Sequence, residues 1–355
     1  MSEKPKIGIF TLHRALNYGA VWQCYALKCA CELLGYEAET IDYNPYGDYE
    51  ARWFIGGRPS KTYRYWRQMY QFNRFVKQCL NPTQHTVSHD WIKNNPPKDD
   101  VYIVGSDTVW SNEVTGDFLN SYLLDFAPSN VKRISYAAST GGCPMKLNEY
   151  QLGELRNFSA ISVREHQTVP TLQAMVDLPV VDVCDPTLLL KQENYESLEQ
   201  RPLGLPRHYV VYFDLAGCPL CAESLQEISR NTHLPILNLA GNYKRWAQYN
   251  RLAPTPEQWL YILHHADFLC TNSFHGVAFS IIFRRPFVCC EAQVGGRAKT
   301  NGRVINLLDQ THLMDRYVTS IDQVNLIADQ NIKFDDMAIE AYRNRSLQWL
   351  KNAIE

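Results

Sequence analysis

The segment CTNSFHGVAFSIIF (residues 270–283) places a histidine and a glycine between two apolar runs. The run before Ser273 is typical of a β-strand and the run after Gly276 of an apolar helix. The turn SFHG is therefore predicted at a helix N-terminus, where free backbone N–H groups and the helix dipole attract anions. His275 would then lie beside a phosphate or carboxylate, and Gly276 would let the ligand approach the backbone. The alternative is that Ser273 only caps the helix and His275 is a polar residue at its start.

Polar side chains also follow several other predicted strands. In open α/β sheets, ligands bind beyond the carboxyl ends of the strands, so these positions are candidates for a binding cleft. Asp107 could orient or activate a hydroxyl group or could cap a following helix. Asn17 is either a cleft residue or only the cap of the helix that follows it. Trp110 is either a core residue or a platform for a sugar face. The full candidate set is His13, Arg14, Asn17, Gly105, Ser106, Asp107, Trp110, Arg164 and Glu165.

Short β-rich runs alternate with helical patterns along the chain. This alternation predicts an α/β fold of two Rossmann-like, doubly wound domains that face each other across a cleft. Between the first two strands, a helical apolar stripe is predicted to be buried, and Gly35 ends the helix. The stripe consists of Ala20, Cys24, Leu27, Cys31 and Leu34. Strands are predicted at residues 6–12, 37–43, 101–107, 133–139, 160–165, 180–186, 209–215, 235–241, 267–273 and 286–292.

The composition between these runs predicts the domain boundaries. Residues 1–190 form the first domain, and the polar stretch at 191–208 is predicted to be a linker because it lacks apolar periodicity. Residues 209–330 form the second domain, and 331–355 form an amphipathic C-terminal helix. Residues 45–98 are predicted to be an insert in the first domain.

Composition and charge exclude several function classes. The net charge of −2 provides no general attraction to nucleic acid, and no apolar run among the 355 residues is long enough to cross a bilayer. The N-terminal sequence MSEKPKIGIF lacks the features of a signal peptide, which predicts a cytoplasmic protein. The eleven cysteines are predicted to be reduced, with Cys218 and Cys221 at a plain helix start rather than in a zinc or redox site. Because no acidic cluster with metal-ligand spacing is present, no metal is expected.

The insert has an unusual local charge. It contains no Asp or Glu between Arg52 and His89, and a basic amphipathic helix is predicted within it. The helix either packs on the domain with its basic face in solvent, or it contacts an anionic membrane or a lipid-diphosphate-linked molecule. The basic residues are Arg52, Arg58, Lys61, Arg64, Arg67, Arg74 and Lys77; the apolar stripe is Tyr65, Met69, Phe72 and Val76; the polar stripe is Arg64, Arg67, Gln71, Arg74 and Gln78.

Seven segments, taken together and in this order, resemble the polysaccharide pyruvyl transferase family. They lie in both predicted domains, and the resemblance fails mainly at residues 45–98 and in the C-terminal helix. The segments are NYGAVWQCYAL (17–27), VGSDTVWS (104–111), SYAAS (135–139), SVREHQTV (162–169), CDPTLLL (184–190), TNSFHGVAFSIIFRRPFV (271–288) and GRVINLL (302–308).

The resemblance implies a fold like that of the GT-B glycosyltransferases and transfer of a pyruvyl group from phosphoenolpyruvate to a sugar. The acceptor would belong to a surface polysaccharide, such as a capsule or exopolysaccharide, or to its lipid-linked precursor. The product would be a cyclic ketal. No cofactor is implied, and a cytoplasmic enzyme with peripheral membrane contact is expected.

The resemblance also implies roles for individual residues. His275 matches the histidine of the family's donor site and is predicted to be a general acid or a phosphate contact, with Ser273, Phe274 and Gly276 around the donor. Arg164 matches the family's arginine and would hold the donor by a two-pronged contact, unless it is a solvated residue at a strand end. Arg303 is a further donor-side candidate or a surface residue, and the acceptor side would use His13, Asn17, Ser106 and Trp110, with Asp107 as a catalytic residue.

Two other function classes remain open from the sequence. One is a glycosyltransferase that uses a nucleotide sugar, although the chain lacks a GxGxxG fingerprint. The other is a sugar- or anion-binding protein without catalysis, because a fold does not determine an activity.

Overall fold

The computed structural model describes residues 4–45, 59–86, 88–215, 217–292, 301–328 and 332–355. The chain divides into two compact units. The first comprises Met1–Leu190 together with Arg343–Glu355, and the second comprises Lys191–Tyr342. The described helices include none that is long and apolar enough to cross a bilayer.

The first unit is built on a six-stranded parallel sheet. Its strand order is β2-β1-β3-β4-β5-β6, so the chain starts one strand from the edge, and the order of the strands reverses between β1 and β3. Such a reversal leaves a crevice beyond the carboxyl ends of the two strands. The strands are β1 (Lys6–Phe10), β2 (Glu37–Thr40), β3 (Val101–Val104), β4 (Lys132–Ala138), β5 (Ala160–Val163) and β6 (Val180–Asp182).

Six helices lie between these strands. The first follows the sequence prediction closely: the Asn17 side chain accepts a hydrogen bond from the Gly19 N–H group, and Gly35 follows with a left-handed φ of 87°. The predicted apolar stripe is buried except at Leu34, which is only partly buried. The helices are α1 (Tyr18–Leu33), α2 (Pro59–Cys79), α3 (His89–Asn94), α4 (Leu119–Tyr122), α5 (Glu149–Arg156) and α6 (Val169–Gln173).

The second unit has its own six-stranded parallel sheet. The strand order β9-β8-β7-β10-β11-β12 is that of the Rossmann fold, and the direction reverses between β7 and β10. The sequence analysis missed β9 and β12, because strands of two residues have no periodicity to detect. The strands are β7 (Val210–Phe213), β8 (Ile236–Asn238), β9 (Tyr249–Asn250), β10 (Phe268–Thr271), β11 (Phe287–Cys290) and β12 (Tyr317–Val318).

The helices of the second unit show local start signals. Cys218 and Pro219 begin α8, and Thr255 forms a reciprocal capping box with Gln258 at the start of α9. The helices are α7 (Glu193–Glu196), α8 (Pro219–Thr232), α9 (Pro256–His264), α10 (Phe274–Ile282), α11 (Asn301–Gln310) and α12 (Ile321–Ala328). A final helix, α13 (Asp336–Ile354), begins in the second unit and ends in the first.

The predicted linker at residues 191–208 is instead a folded part of the second unit. It contains α7, buries Tyr195 completely, and places Glu199 against His264 with a distance of 2.6 Å between Oε1 and Nδ1. The prediction failed because a polar segment can be anchored by a single aromatic residue. The C-terminal helix likewise is not a separate element, since from Arg343 onward it belongs to the first unit.

The basic helix of the insert packs on the first unit. Phe72 lies 5.2 Å from the ring of Tyr18, and Phe75 lies 4.8 Å from the ring of Trp22. Gln71, assigned above to the polar stripe, is buried, so that assignment was wrong. Arg67 and Lys77 are exposed, as the packed-helix alternative predicts, whereas Arg64 and Arg74 are partly buried. The remaining predicted basic residues, Arg52, Arg58 and the side chain of Lys61, lie outside the described residues. Contact with a membrane stays a prediction.

Asp99 gives the first unit a testable dependence on pH. Burial, reinforced by the nearby Glu39, raises the pKa of Asp99 to about 6, although Lys6 lies 3.4 Å away and lowers it. Because the folded state binds this proton more tightly than the unfolded state, stability is lost as the pH rises through about 4 to 6. We expect Asp99→Asn to be about 1–3 kcal/mol more stable than wild type at pH 8, with a smaller difference at pH 5.

Urea unfolding at the two pH values measures this effect. The exposed Asp177 provides the control, because Asp177→Asn should change stability little at either pH. An Asp99→Asn variant that is less stable than wild type at pH 8 would contradict the prediction.

Candidate active-site residues at the carboxyl ends of the strands

In the second unit, two polar side chains connect the strands on either side of the reversal. Asp214, which follows β7, accepts hydrogen bonds from the Tyr212 hydroxyl at 2.6 Å and from the N–H groups of Gly217 and Cys218 at 3.0 and 2.7 Å. Asn272, which follows β10, donates its side-chain N–H to Asp214. The sequence analysis named neither residue, although each directly follows a strand and the same positional argument would have found them.

The predicted SFHG turn lies beside Asn272. Ser273 caps α10, with its side-chain oxygen 3.4 Å from the Gly276 nitrogen, and its own N–H donates to Thr271 Oγ1 at 2.9 Å. The capping role of Ser273 is therefore confirmed. The turn is also a helix N-terminus at the point of strand reversal, where the Rossmann fold binds anionic groups. An anion at this turn stays a prediction.

His275 occupies the first turn of α10. Its side chain is 8% exposed, and its ring lies edge-on to Phe274 with a centroid separation of 5.2 Å. Little of the ring is therefore open to solvent. The histidine is therefore held in one place by packing, which a positioned acid requires.

Gly276 has a different role from the one predicted. A Cβ atom there would lie 2.6 Å from Thr271 Oγ1 and 3.2 Å from Phe213 Cδ1. That space is filled by protein, so the glycine allows α10 to pack closely on β10 rather than allowing a ligand to approach. Thr271 cannot move aside easily, because its hydroxyl donates to the Phe213 carbonyl at 2.6 Å.

We expect Gly276→Ala to destabilise the protein by about 1–3 kcal/mol, because the added methyl group overpacks this junction. Urea unfolding measures the loss. Gly153, in the middle of α5, is a matched control, since a Cβ there would meet no atom within 4 Å. Gly153→Ala should be neutral or up to about 1 kcal/mol stabilising. If both variants behaved alike, the packing explanation would be wrong.

In the first unit, the predicted polar residues form one buried network beyond the strand ends. Arg164, 2% exposed, donates from Nη1 to Asp185 Oδ2 at 3.0 Å. The Ser106 hydroxyl donates to the same oxygen at 2.9 Å. Asp107 and Glu165 also face the guanidinium, at 3.8 and 3.9 Å. The network joins residues that follow β3, β5 and β6, and its shared acceptor, Asp185, was not among the predicted candidates.

This environment does not support Arg164 as a direct ligand of an anionic donor. Burial alone would lower the pKa of Arg164, but Asp185, Glu165 and Asp107 raise it above its ordinary value. The three carboxylates already offset the positive charge and would repel an incoming anion. The alternative of a solvated arginine is wrong as well, because Arg164 is buried. Its contact with Asp185 instead holds the strand ends in position.

Asp107 is the member of this network with the most unusual backbone. Its φ of 75° is left-handed, a conformation that non-glycine residues adopt rarely and mostly at turns or functional sites. The helix-cap alternative is wrong, because the residues that follow form turns rather than a helix. Among the described residues, the Asp107 carboxylate accepts a hydrogen bond only from the adjacent Thr108 N–H, at 2.9 Å. Its catalytic role stays a prediction.

Two acceptor-side candidates are core residues in this structure. Trp110 has no exposed surface, packs edge-on against Phe158 and donates its indole N–H to the Tyr122 carbonyl at 3.0 Å. His13 is also fully buried, with Nε2 3.0 Å from Asp42 Oδ1. Neither ring has a face open to a sugar, so the predictions that they line a cleft are corrected here. The burial of His13 is explained by its polar partners, because both His13 and Arg14 contact the Asp42 carboxylate.

The remaining candidates have clear structural positions. Asn17 caps α1, which confirms the capping alternative, and Asn17 is exposed. Arg303 lies in the first turn of α11 and is partly buried, so it is not the simple surface residue of the alternative. A donor-side role for Arg303 stays a prediction.

Two groups of ligand-type side chains occur among the described residues, both in the second unit. Glu199 lies with His264 and His265, and Cys221 lies with Cys270 and Cys290. The Cys221 and Cys270 sulfur atoms are 3.1 Å apart, and hydrogen bonds from these two thiols lower the pKa of Cys290 to about 5.

Both groups are made by tertiary contacts that the sequence does not reveal. The Cys218 sulfur instead contacts the Glu291 carbonyl at 3.4 Å, and Cys218 lies at the start of α8, as predicted. Cys221 belongs to the thiol group, so the expectation that it has no zinc or redox role stays a prediction. All eleven cysteines are free thiols, as predicted. Independence from metal stays a prediction.

Comparison with known proteins adds evidence about family and fold. A family model described as polysaccharide pyruvyl transferase matches residues 17–292, well over half of the chain. No curated protein sequence matches the chain significantly.

Solved structures with similar folds include nucleotide-sugar enzymes. One is the Methanocaldococcus jannaschii UDP-GlcNAc 2-epimerase, with 11% identity, a TM-score of 0.54, and coverage of 94% of this chain and 95% of that one. Another is Arabidopsis thaliana UGT89C1 complexed with UDP-L-rhamnose, with 11% identity, a TM-score of 0.53 and coverage of 99% and 100%. At such low identity the similarity shows the fold alone, which is that of GT-B glycosyltransferases and epimerases with two Rossmann-like domains.

Proposed function

The chain belongs to the polysaccharide pyruvyl transferase family, and we propose that it uses phosphoenolpyruvate as the donor and forms a pyruvate ketal on a sugar. The single observation that carries this proposal is the position of His275. It lies in the first turn of a helix whose N-terminus meets the strand reversal of a Rossmann-type sheet, and such a site favours a phosphorylated ligand.

The proposed chemistry needs one proton donor and an anion site. The terminal alkene carbon of phosphoenolpyruvate takes a proton while a sugar hydroxyl adds to the adjacent carbon and loses its own proton. A second hydroxyl then displaces phosphate from that carbon, which closes the ketal and releases inorganic phosphate. We assign the first proton to His275 and the phosphate to the N–H groups of the Ser273 turn.

We propose that the acceptor sugar uses a pocket in the first unit. This pocket has a volume of about 180 Å³ and lies beside the ends of β1 and β2, where Leu12, Arg14, Tyr43 and Asn44 line it. An aromatic wall with an arginine and an amide is a common combination for sugar rings, which present both apolar faces and hydroxyl groups. A lipid-diphosphate-linked acceptor would also place the enzyme at the inner face of the membrane.

Calorimetric titration of the full chain with phosphoenolpyruvate tests the donor, with UDP- and GDP-sugars titrated separately. Binding of phosphoenolpyruvate that weakens in His275→Ala, without binding of the nucleotide sugars, would support the proposal. Phosphate release from phosphoenolpyruvate in the presence of nitrophenyl glycosides would then report turnover. No response to phosphoenolpyruvate would overturn it.

The second candidate is a glycosyltransferase that uses a nucleotide sugar. The similar folds of the solved nucleotide-sugar enzymes favour this class. Binding of a UDP- or GDP-sugar without any response to phosphoenolpyruvate would identify it.

A further inference from the structure

A second pocket of the second unit lies at the opposite end of its sheet. Its volume is about 420 Å³, and its wall includes Tyr209 and Asp267, which directly precede β7 and β10. The Ser273 turn follows β10, so the pocket and the turn are at opposite ends of the same strand. Two of its lining residues, Arg201 and Arg207, come from the segment that composition had suggested was a linker.

Three arginines line this pocket, and within the described part of the chain none of them has a carboxylate partner. Arg201 donates only to the Leu205 carbonyl, at 3.2 Å, and Arg207 is exposed. Arg285 is partly buried, and its Nε atom is buried with no hydrogen-bond partner among the described residues. A buried guanidinium N–H without an acceptor costs free energy, and a bound anion would remove that cost.

The acidic groups around the pocket are already engaged. Asp267 lies 3.1 Å from His208 Nδ1 and accepts the Tyr209 N–H at 2.8 Å. Glu199, behind the wall, is held by His264 and by His265, whose Nε2 is 3.1 Å from Oε2. These carboxylates therefore interact with histidines and a backbone N–H group rather than with the arginines. The guanidinium groups of the pocket can then bind an anionic ligand.

We propose that this pocket, defined by Arg201, Arg207 and Arg285, binds an organic diphosphate. Guanidinium groups bind phosphate oxygens by paired hydrogen bonds, and three of them match a group with several negative charges. The pocket is larger than one phosphate and lies in the size range of ligand sites. A nucleotide and a lipid-linked sugar share this chemistry. The proposal is independent of the proposed function, because no residue of the Ser273 turn lines the pocket.

Calorimetry on the full chain tests this site with pyrophosphate, UDP and a short-chain prenyl diphosphate in separate titrations. We expect pyrophosphate to bind, and Arg285→Met to weaken it at least about tenfold because the variant keeps the length of the side chain and loses its charge. The better of the two organic probes then identifies the source of the diphosphate. Increasing salt should weaken binding, since the attraction is electrostatic.

Two further variants keep the test decisive. Arg230 is an exposed arginine of α8 that pairs with Glu227, and Arg230→Met should leave pyrophosphate binding unchanged. Arg285→Lys should recover only part of the affinity, because lysine cannot form the paired contact. Binding of phosphoenolpyruvate should persist in Arg285→Met, which separates this site from the donor site. No pyrophosphate binding at millimolar concentrations, or equal binding by Arg285→Met and wild type, would overturn the proposal.

Discussion

His275→Ala should reduce turnover about 10²–10⁴-fold while the protein stays folded, the usual contribution of a positioned general acid. The side chain is 8% exposed and its ring lies edge-on to Phe274, while the Ser273 cap is made by the Ser273 side chain and does not use the imidazole. The loss should appear mainly in kcat if His275 donates the proton. It should appear mainly in KM if His275 only contacts the bound phosphate.

Two variants separate acid catalysis from packing. His275→Gln keeps a polar side chain of similar reach but cannot donate a proton in this way, so a general acid predicts a kcat as low as that of the alanine variant. His166, an exposed histidine of the first unit that pairs with Asp182, provides the control, and His166→Gln should have wild-type kinetics. Unchanged kcat in both His275 variants, with normal unfolding curves, would remove His275 from the mechanism.

The sequence predicted the residues that follow strands better than it predicted their environments. Ser106, Asp107, Arg164 and Ser273 all lie beyond strand carboxyl ends, because alternating β and α patterns determine which loops meet at one edge of a parallel sheet. Burial is a tertiary property and does not follow from that alternation. Trp110 is therefore a core residue.

The partners of the buried charged residues could not be predicted from the sequence either. Asp185 comes 21 residues after Arg164, yet the two side chains form the central ion pair of the first unit. Arg285 and Arg201 are also far apart in sequence and line one pocket. Spacing along a chain reports partners within one helix or hairpin, whereas these pairs depend on which strands are neighbours. The unexpected packing of residues 191–208 has the same cause.

The Gly276 result shows how one residue can fit two explanations. A glycine at a helix N-terminus is equally expected where a ligand approaches the backbone and where a helix packs closely on a strand. Only the position of the missing Cβ distinguishes them, and here it points at Thr271 and Phe213. The anion site at the Ser273 turn therefore depends on the helix N-terminus and His275, without support from Gly276.

Replacing Arg164 with methionine should destabilise the first unit by about 3–5 kcal/mol, the usual cost of leaving buried carboxylates without their cation. Asp185, 1% exposed, and Glu165, 2% exposed, would keep their negative charges in a space closed to solvent. The free-energy cost of a buried carboxylate that has lost its cation is lower at mildly acidic pH, where protonation can remove the unpaired charge. The deficit in stability should consequently be larger at pH 8 than at pH 5.

Urea unfolding of the full chain at pH 5 and pH 8 measures both the loss in the free energy of unfolding and its dependence on pH. Arg156 is the control: it is exposed on α5, and its Nε donates to the Met175 carbonyl, so Arg156→Met should cost less than about 1 kcal/mol. Adding Asp185→Asn to Arg164→Met should recover part of the loss, because the substitution removes one unpaired charge. The amide oxygen can still accept the Thr187 hydrogen bond, and the amide N–H group can donate to the Ser106 hydroxyl. A deficit that is small, or that does not change with pH, would show that solvent or other groups neutralise these carboxylates, and the ion pair would not be what holds the strand ends together.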